Sequence, residues 1–210
     1  MRPERRAWLE CLAVTRTVLE VPQLRKLWHA PSALDGWTVG TLAGHVIRGA
    51  TIIGDYLDAS VPENADVITA TEYWRRVPGD TTLPIHAGIS ERARAQAERG
   101  LDALLADIDE ATPRLRAACE TEPDGRLTTA FAGLVLTFDD LLICRCVELT
   151  VHTDDLCASL GIDTPPLPPG ATELTIETLV GAARLRHGDL AVLRALTRRE
   201  RDAPEALRVL

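Results

Sequence analysis

Three observations predict an all-α fold, a four-helix bundle with long connections and a short C-terminal helical hairpin. Apolar residues recur every three or four positions along four long stretches, the period of a helix with one buried face. Proline and glycine fall mainly between those stretches. Strand-like alternation is almost absent.

The first helix is expected from Pro3 to about Arg25, with Trp8, Leu12, Thr15 and Leu19 on one face. A turn-rich stretch follows, Trp28-His-Ala-Pro31 and then Leu34-Asp-Gly-Trp37. Thr38 is a good N-cap for a second helix, Val39 to about Leu57, whose apolar face is Val39, Leu42, Ala43, Val46, Ala50, Ile53 and Leu57. His45 lies at the edge of that face. Residues 59–88 contain Pro62, Pro78, Gly79 and Pro84 and read as a long connection with one short helix around Thr71–Arg76. Ser90 is expected to cap a third long helix with Leu101, Leu104, Leu105, Ile108 and Leu115 inward, kinked or restarted at Thr112-Pro113. Gly125 to Gly133 reads as a loop with an extended piece. Thr137-Phe-Asp-Asp140 then has capping-box spacing, with Asp in place of Glu, and opens a fourth helix that ends near Gly161. After the proline-rich joint Pro165-Pro-Leu-Pro-Pro169, residues 172–201 form two further helices broken near His187-Gly188-Asp189.

With 210 residues, 46% of them hydrophobic, the chain can enclose a substantial core. Residues 1–164 are assigned to the bundle, and residues 165–210 to the joint and a helical extension packing on it. No apolar run approaches the ~20 residues of a membrane span. The charged start, Met1-Arg-Pro-Glu-Arg-Arg, leads into an amphipathic segment instead of a signal-peptide core. A cytoplasmic location with no membrane partner is the expectation. The net charge of −8, with no dense Lys/Arg block, argues against nucleic acid. The five cysteines form no Cys-x-x-Cys pair and read as reduced, buried small residues.

The fourth helix carries the chemistry. Phe138, Leu141, Leu142, Leu149 and Leu156 form one inward stripe, and Arg145 and His152 occupy two more of its positions, with Glu148 beside them. Glu148 and His152 are four residues apart and project from one helix face. Buried there without a partner they would cost several kcal/mol, roughly. A divalent cation is one such partner, and His45 on the second helix offers a third ligand. Taken alone, Glu-x-x-x-His is usually a surface pair; its place in an apolar stripe is what favours metal. Two imidazoles and one carboxylate leave exchangeable positions, as in catalytic zinc sites, and iron, nickel or manganese suits the same donors. Asp155 is placed to orient His152 or to lie exposed. Arg145 either pairs with Glu148 or holds a substrate carboxylate. Cys144 reads as a buried structural residue. His29 and His86 read as turn or connection residues, and His187 as a helix-end cation.

Two motifs resemble a known family. Pro31-Ser-Ala-Leu-Asp-Gly-Trp37-Thr-Val-Gly-Thr-Leu-Ala-Gly-His45-Val looks like the opening motif of the mycothiol-dependent maleylpyruvate isomerase family, and Arg145-Cys-Val-Glu148-Leu-Thr-Val-His152-Thr-Asp-Asp155-Leu like its second. That family lies within the DinB-like helical-bundle superfamily. The resemblance implies a metal held by His45, Glu148 and His152, with mycothiol, a low-molecular-weight thiol, as cosubstrate. The isomerase itself carries a larger C-terminal domain, whereas about 40 residues follow the joint here. The resemblance therefore favours metal-assisted thiol transfer to a small electrophile over maleylpyruvate isomerisation itself. A metal-dependent hydrolase and a non-catalytic metal- or ligand-binding bundle of stress response remain as rival readings. Both monomer and homodimer remain open.

Overall fold

The computed structural model of the chain describes residues 1–77, 84–197 and 204–209. Its helices are α1 (Pro3–Leu19), α2 (Pro22–Lys26), α3 (Val39–Thr51), α4 (Ile53–Asp58), α5 (Ala70–Arg76), α6 (Pro84–Glu98), α7 (Leu101–Thr121), α8 (Phe138–Leu160), α9 (Pro169–His187) and α10 (Asp189–Thr197). Three short strands, β1 (Val67–Ile68), β2 (Leu127–Thr129) and β3 (Val135–Thr137), form a small sheet in the order β1-β3-β2. β3 runs parallel to β1 and antiparallel to β2. The mostly helical fold expected from the sequence is present; the sheet is an addition to it. No helix among the described residues is long and apolar enough to cross a membrane.

Helices α1, α3, α7 and α8 form the bundle, and α8 is its central member. It packs on α1, α3 and α9 and meets the sheet at its N-terminal end. Covered on so many sides, it buries residues around most of its circumference. Phe138, Leu141, Leu142, Leu149 and Leu156 are all buried, as the stripe predicts. Burying each such side chain fully contributes roughly 1.5–3 kcal/mol. The α1–α8 contact also contains two polar matches: Thr15 Oγ1 lies 2.8 Å from Thr153 Oγ1, and Cys11 Sγ lies 3.6 Å from Thr150 Oγ1.

Local chemistry decides where the elements stop. Thr38 and Thr137 cap α3 and α8 as expected, each side-chain oxygen accepting a backbone N–H three residues on, from Thr41 and Asp140. Asp140 completes no reciprocal capping box: its carboxylate accepts from the Thr137 hydroxyl and from the Ala70 amide, which ties α8 to α5. The expected first helix is two, because Pro22 starts a new turn and cannot continue the old one. The second helix is likewise broken at Ile52 into α3 and α4.

The third predicted helix also needs correction. Gly100, with φ +82°, separates α6 from α7, a conformation that a residue with a Cβ strongly disfavours. Ser90 therefore sits inside α6 instead of capping a helix, and the expected connection at 84–88 is already helical. Pro78 and Gly79 lie outside the described residues. Pro113 neither kinks nor restarts α7 into a new element; the helix runs through it, and the Thr112 hydroxyl donates to the Ile108 carbonyl 2.6 Å away.

Helices α3 and α6 approach closely at Gly44, where an added Cβ would lie 2.9 Å from the Ala93 carbonyl oxygen. After the proline joint, α9 packs along α8, α5 and α1, and α10 folds back on α9. The Arg186 side chain of α9 donates to the carbonyls of Trp74, Arg75 and Val77 at the end of α5 and to that of Val209. Trp74 is buried in the core.

Candidate metal centre

His45 reaches the site from the middle of α3, and Glu148 and His152 reach it from successive turns of α8. Across 103 residues of sequence, His45 Nε2 comes within 3.2 Å of Glu148 Oε2. His152 Nε2 lies 3.3 Å from that same oxygen. The two imidazoles meet edge to face with centroids 4.9 Å apart. One nitrogen from each histidine and one carboxylate oxygen thus lie within 4.8 Å of one another. Each of the three side chains is about one-fifth exposed, 22%, 19% and 18% for His45, Glu148 and His152, so the cluster is enclosed but reachable.

The surroundings fix each donor. Asp155 lies one turn beyond His152, its Oδ2 2.8 Å from His152 Nδ1. A carboxylate accepts there, so the imidazole carries its proton on Nδ1 and turns Nε2 inward. The Ser159 hydroxyl donates to the Asp155 carbonyl and accepts the Ala33 amide, linking α8 to the turn before α3. Trp37 sets its ring edge-on to His45 at 5.3 Å, and its Nε1 donates to Ser90 Oγ. His45 is therefore held between Trp37 and His152.

Electrostatics follow from burial and these partners. Burial alone would push the Glu148 carboxyl up, but the His152 and His45 hydrogen bonds and the Arg145 guanidinium hold it well below the usual carboxylate range. Burial also disfavours the charged form of both imidazoles. At His45 burial prevails over Glu148 and lowers the pKa. At His152 the two carboxylates prevail, and the pKa rises to about 9. The Cys144 thiol is pushed up by complete burial and offers no thiolate, in line with a structural role.

Arg145 is buried, 7% exposed, with Nη2 3.9 Å from Glu148 Oε1 and 3.4 Å from the Tyr73 hydroxyl. Its Nε has no hydrogen-bond partner among the described residues. The guanidinium forms part of the wall of a cavity of about 410 Å³ that opens beside His45 and Glu148. Arg48, Arg92, Tyr56 and Tyr73 also line it, and the sequence reading did not single them out. For Arg48 a signal existed: it follows His45 by three residues and shares its side of α3. Arg92 falls in the helix expected after Ser90, but no sequence signal sets that helix against α3. Of the other histidines, His29 lies in the turn after α2 and His187 in the last turn of α9, whose C-cap is Gly188. The His86 side chain lies outside what the structure describes.

The donor set fits a divalent cation. Two neutral-capable imidazoles and an ionised carboxylate converge on one small volume, a carboxylate partner stands behind one imidazole, and the open side faces a cavity instead of a fourth protein ligand.

The family model described as mycothiol maleylpyruvate isomerase N-terminal domain matches residues 8–157. Two solved structures resemble the chain in fold. The crystal structure of the mycothiol-dependent maleylpyruvate isomerase shares 19% identity at a TM-score of 0.56, and that of a His-to-Ala mutant of it shares 17% at 0.55. In both, 86% of this chain aligns with 68% of the other. No curated protein matches the chain.

Proposed function

The chain belongs to the mycothiol maleylpyruvate isomerase N-terminal domain family, and from that membership we propose a metal- and mycothiol-dependent enzyme that adds the thiol to a small electrophile. His45, Glu148 and His152 would hold the cation, with zinc the first candidate. The observation that carries this reading is the convergence of both Nε2 atoms on one Glu148 oxygen at the wall of a cavity.

When bound, the cation supplies Lewis acidity, which favours the thiolate of a thiol whose ordinary pKa is about 8.5. The chain's own residues do the rest. Asp155 accepts the Nδ1 proton of His152 and turns Nε2 toward Glu148, where it would ligate a cation after giving up its own proton. Glu148, held ionised by its neighbours, keeps the pocket ready for a cation at neutral pH. Arg145 presents a fixed positive charge to an anionic group of the substrate or thiol. Val77, Ile89 and Phe131 give the cavity apolar walls. Isomerisation follows where the thiol adds and later leaves; transfer follows where the carbon–sulfur bond persists in the product.

The test compares turnover of electrophiles by metal-loaded protein with and without mycothiol. Turnover is expected only when both metal and mycothiol are present. Equal turnover without the thiol would replace this reading with a hydrolase. Stoichiometric metal binding with neither turnover nor mycothiol binding would leave a non-catalytic bundle.

A further inference from the structure

The cavity beside the triad is charged against the rest of the molecule. The chain as a whole carries −8, yet the charged side chains lining this cavity are three arginines, Arg48, Arg92 and Arg145, and one carboxylate, Glu148. With His45 neutral, that leaves a formal +2 before any cation is added. Glu148 is shared among His45, His152 and Arg145, which leaves Arg48 and Arg92 without a carboxylate partner among the described residues.

The three guanidiniums come from three different helices, α3, α6 and α8, and surround one phenol. Tyr56, from α4, is raised from its ordinary pKa by burial, while Arg145, Arg48 and Arg92 all act on it in the opposite sense. Neither Arg48 nor Arg92 forms a salt bridge among the described residues, although Arg75, Arg76, Arg99 and Arg114 all do. Arg145 adds a buried, unpartnered Nε. Arg145 is buried and Arg48 half-buried, whereas Arg92 is exposed; unpaired cations are costly at the two covered positions unless a ligand completes them.

We propose that Arg48, Arg92 and Arg145, with the Tyr56 hydroxyl, form an oxyanion-binding subsite, built entirely from the bundle, that selects electrophiles bearing an acidic group. The subsite rests on the proposed enzyme only in taking its ligand to be the substrate. In the proposed reaction the cation takes the sulfur of the thiol, so the arginines are matched to the second substrate. Arginine forks suit carboxylate and phosphate oxygens in two-point contact. At about 410 Å³ the cavity lies within the range of small-molecule sites. Arg48 and Arg92 are thus specificity-determining residues. They hold the acidic end of the substrate while its reactive carbon lies toward His45 and Glu148.

The test is calorimetric titration of the metal-loaded protein with succinate, its neutral diamide and glycerol phosphate, with metal content measured on every sample. Succinate or glycerol phosphate is expected to bind, the stronger of the two identifying the acid class, and the diamide is expected not to. Arg48→Gln and Arg92→Gln should each weaken binding roughly tenfold, and the double variant roughly a hundredfold, with metal content retained. Arg48→Lys should recover part of the loss, and Arg94→Gln, on the exposed side of α6, should change nothing. Unchanged anion affinity in the metal-replete double variant would overturn the subsite, as would diamide binding as tight as that of the acids. Should wild-type protein take up no metal while anion binding still depends on Arg48 and Arg92, the metal reading fails and the subsite stands.

Discussion

Substituting Asp155 probes how the centre is organised without touching a proposed ligand. Its carboxylate lies 2.8 Å from His152 Nδ1 and is about one-quarter exposed, at 23%. Asp155→Asn keeps an acceptor oxygen at that position and loses the charge; Asp155→Leu loses both. Carboxylates behind a ligating histidine typically contribute 10–100-fold in metal affinity, which is about 1.4–2.7 kcal/mol. The enclosed pair places Leu near the upper end and Asn near the lower. Zinc dissociation constants from competition with a chelator of known affinity give the readout. Circular dichroism controls for folding, because the Ser159 hydroxyl bonds the backbone carbonyl of residue 155 and survives both changes. Zinc affinity unchanged in Asp155→Leu would refute the assignment of His152 Nε2 as a donor held from behind by Asp155.

Three further outcomes follow from other parts of the molecule. Gly44→Ala should destabilise by about 1–3 kcal/mol in urea unfolding, since its Cβ would meet the Ala93 carbonyl at 2.9 Å and force α6 from α3. It should also weaken anion binding, because α6 carries Arg92. Arg186→Met should cost about 2 kcal/mol by the same assay, as carbonyls at the end of α5 lose a charged donor. Ala132, the only non-glycine residue with positive φ among those described, sits at +57° in the cavity wall. Ala132→Gly should raise the thermal midpoint, by an amount corresponding to about 1 kcal/mol or less, and an unchanged or lower midpoint would show that the turn is unstrained.

Much of this centre was legible in the sequence because it is written at helical spacing. Glu148 and His152 are one turn apart on a helix whose other inward positions are apolar, and only a polar partner reconciles them with that stripe. Apolar faces and threonine caps placed the start of α3 and both ends of α8 almost to the residue for the same reason: both signals are local. What the sequence hid is non-local. The mini-sheet pairs Val67 with Val135 across nearly seventy residues through strands too short for alternation to register. Gly100 reads as one residue in a long helical pattern, so α6 was not separated from α7 and the packing on α3 that brings Arg92 to the cavity was not seen. Tyr56, Tyr73 and the three arginines share a cavity only because α3, α4, α5, α6 and α8 converge there, and no spacing rule encodes that.

The account rests on the three donors acting together, and metal stoichiometry tests this most directly. Elemental analysis of zinc-reconstituted wild-type protein should give one ion per chain. His152→Ala should hold almost none while its helix content stays unchanged, since His152 is partly exposed at the site and contributes no apolar core volume. A His152→Ala protein that still carries one zinc per chain would contradict the ligand set, and with it the proposed chemistry.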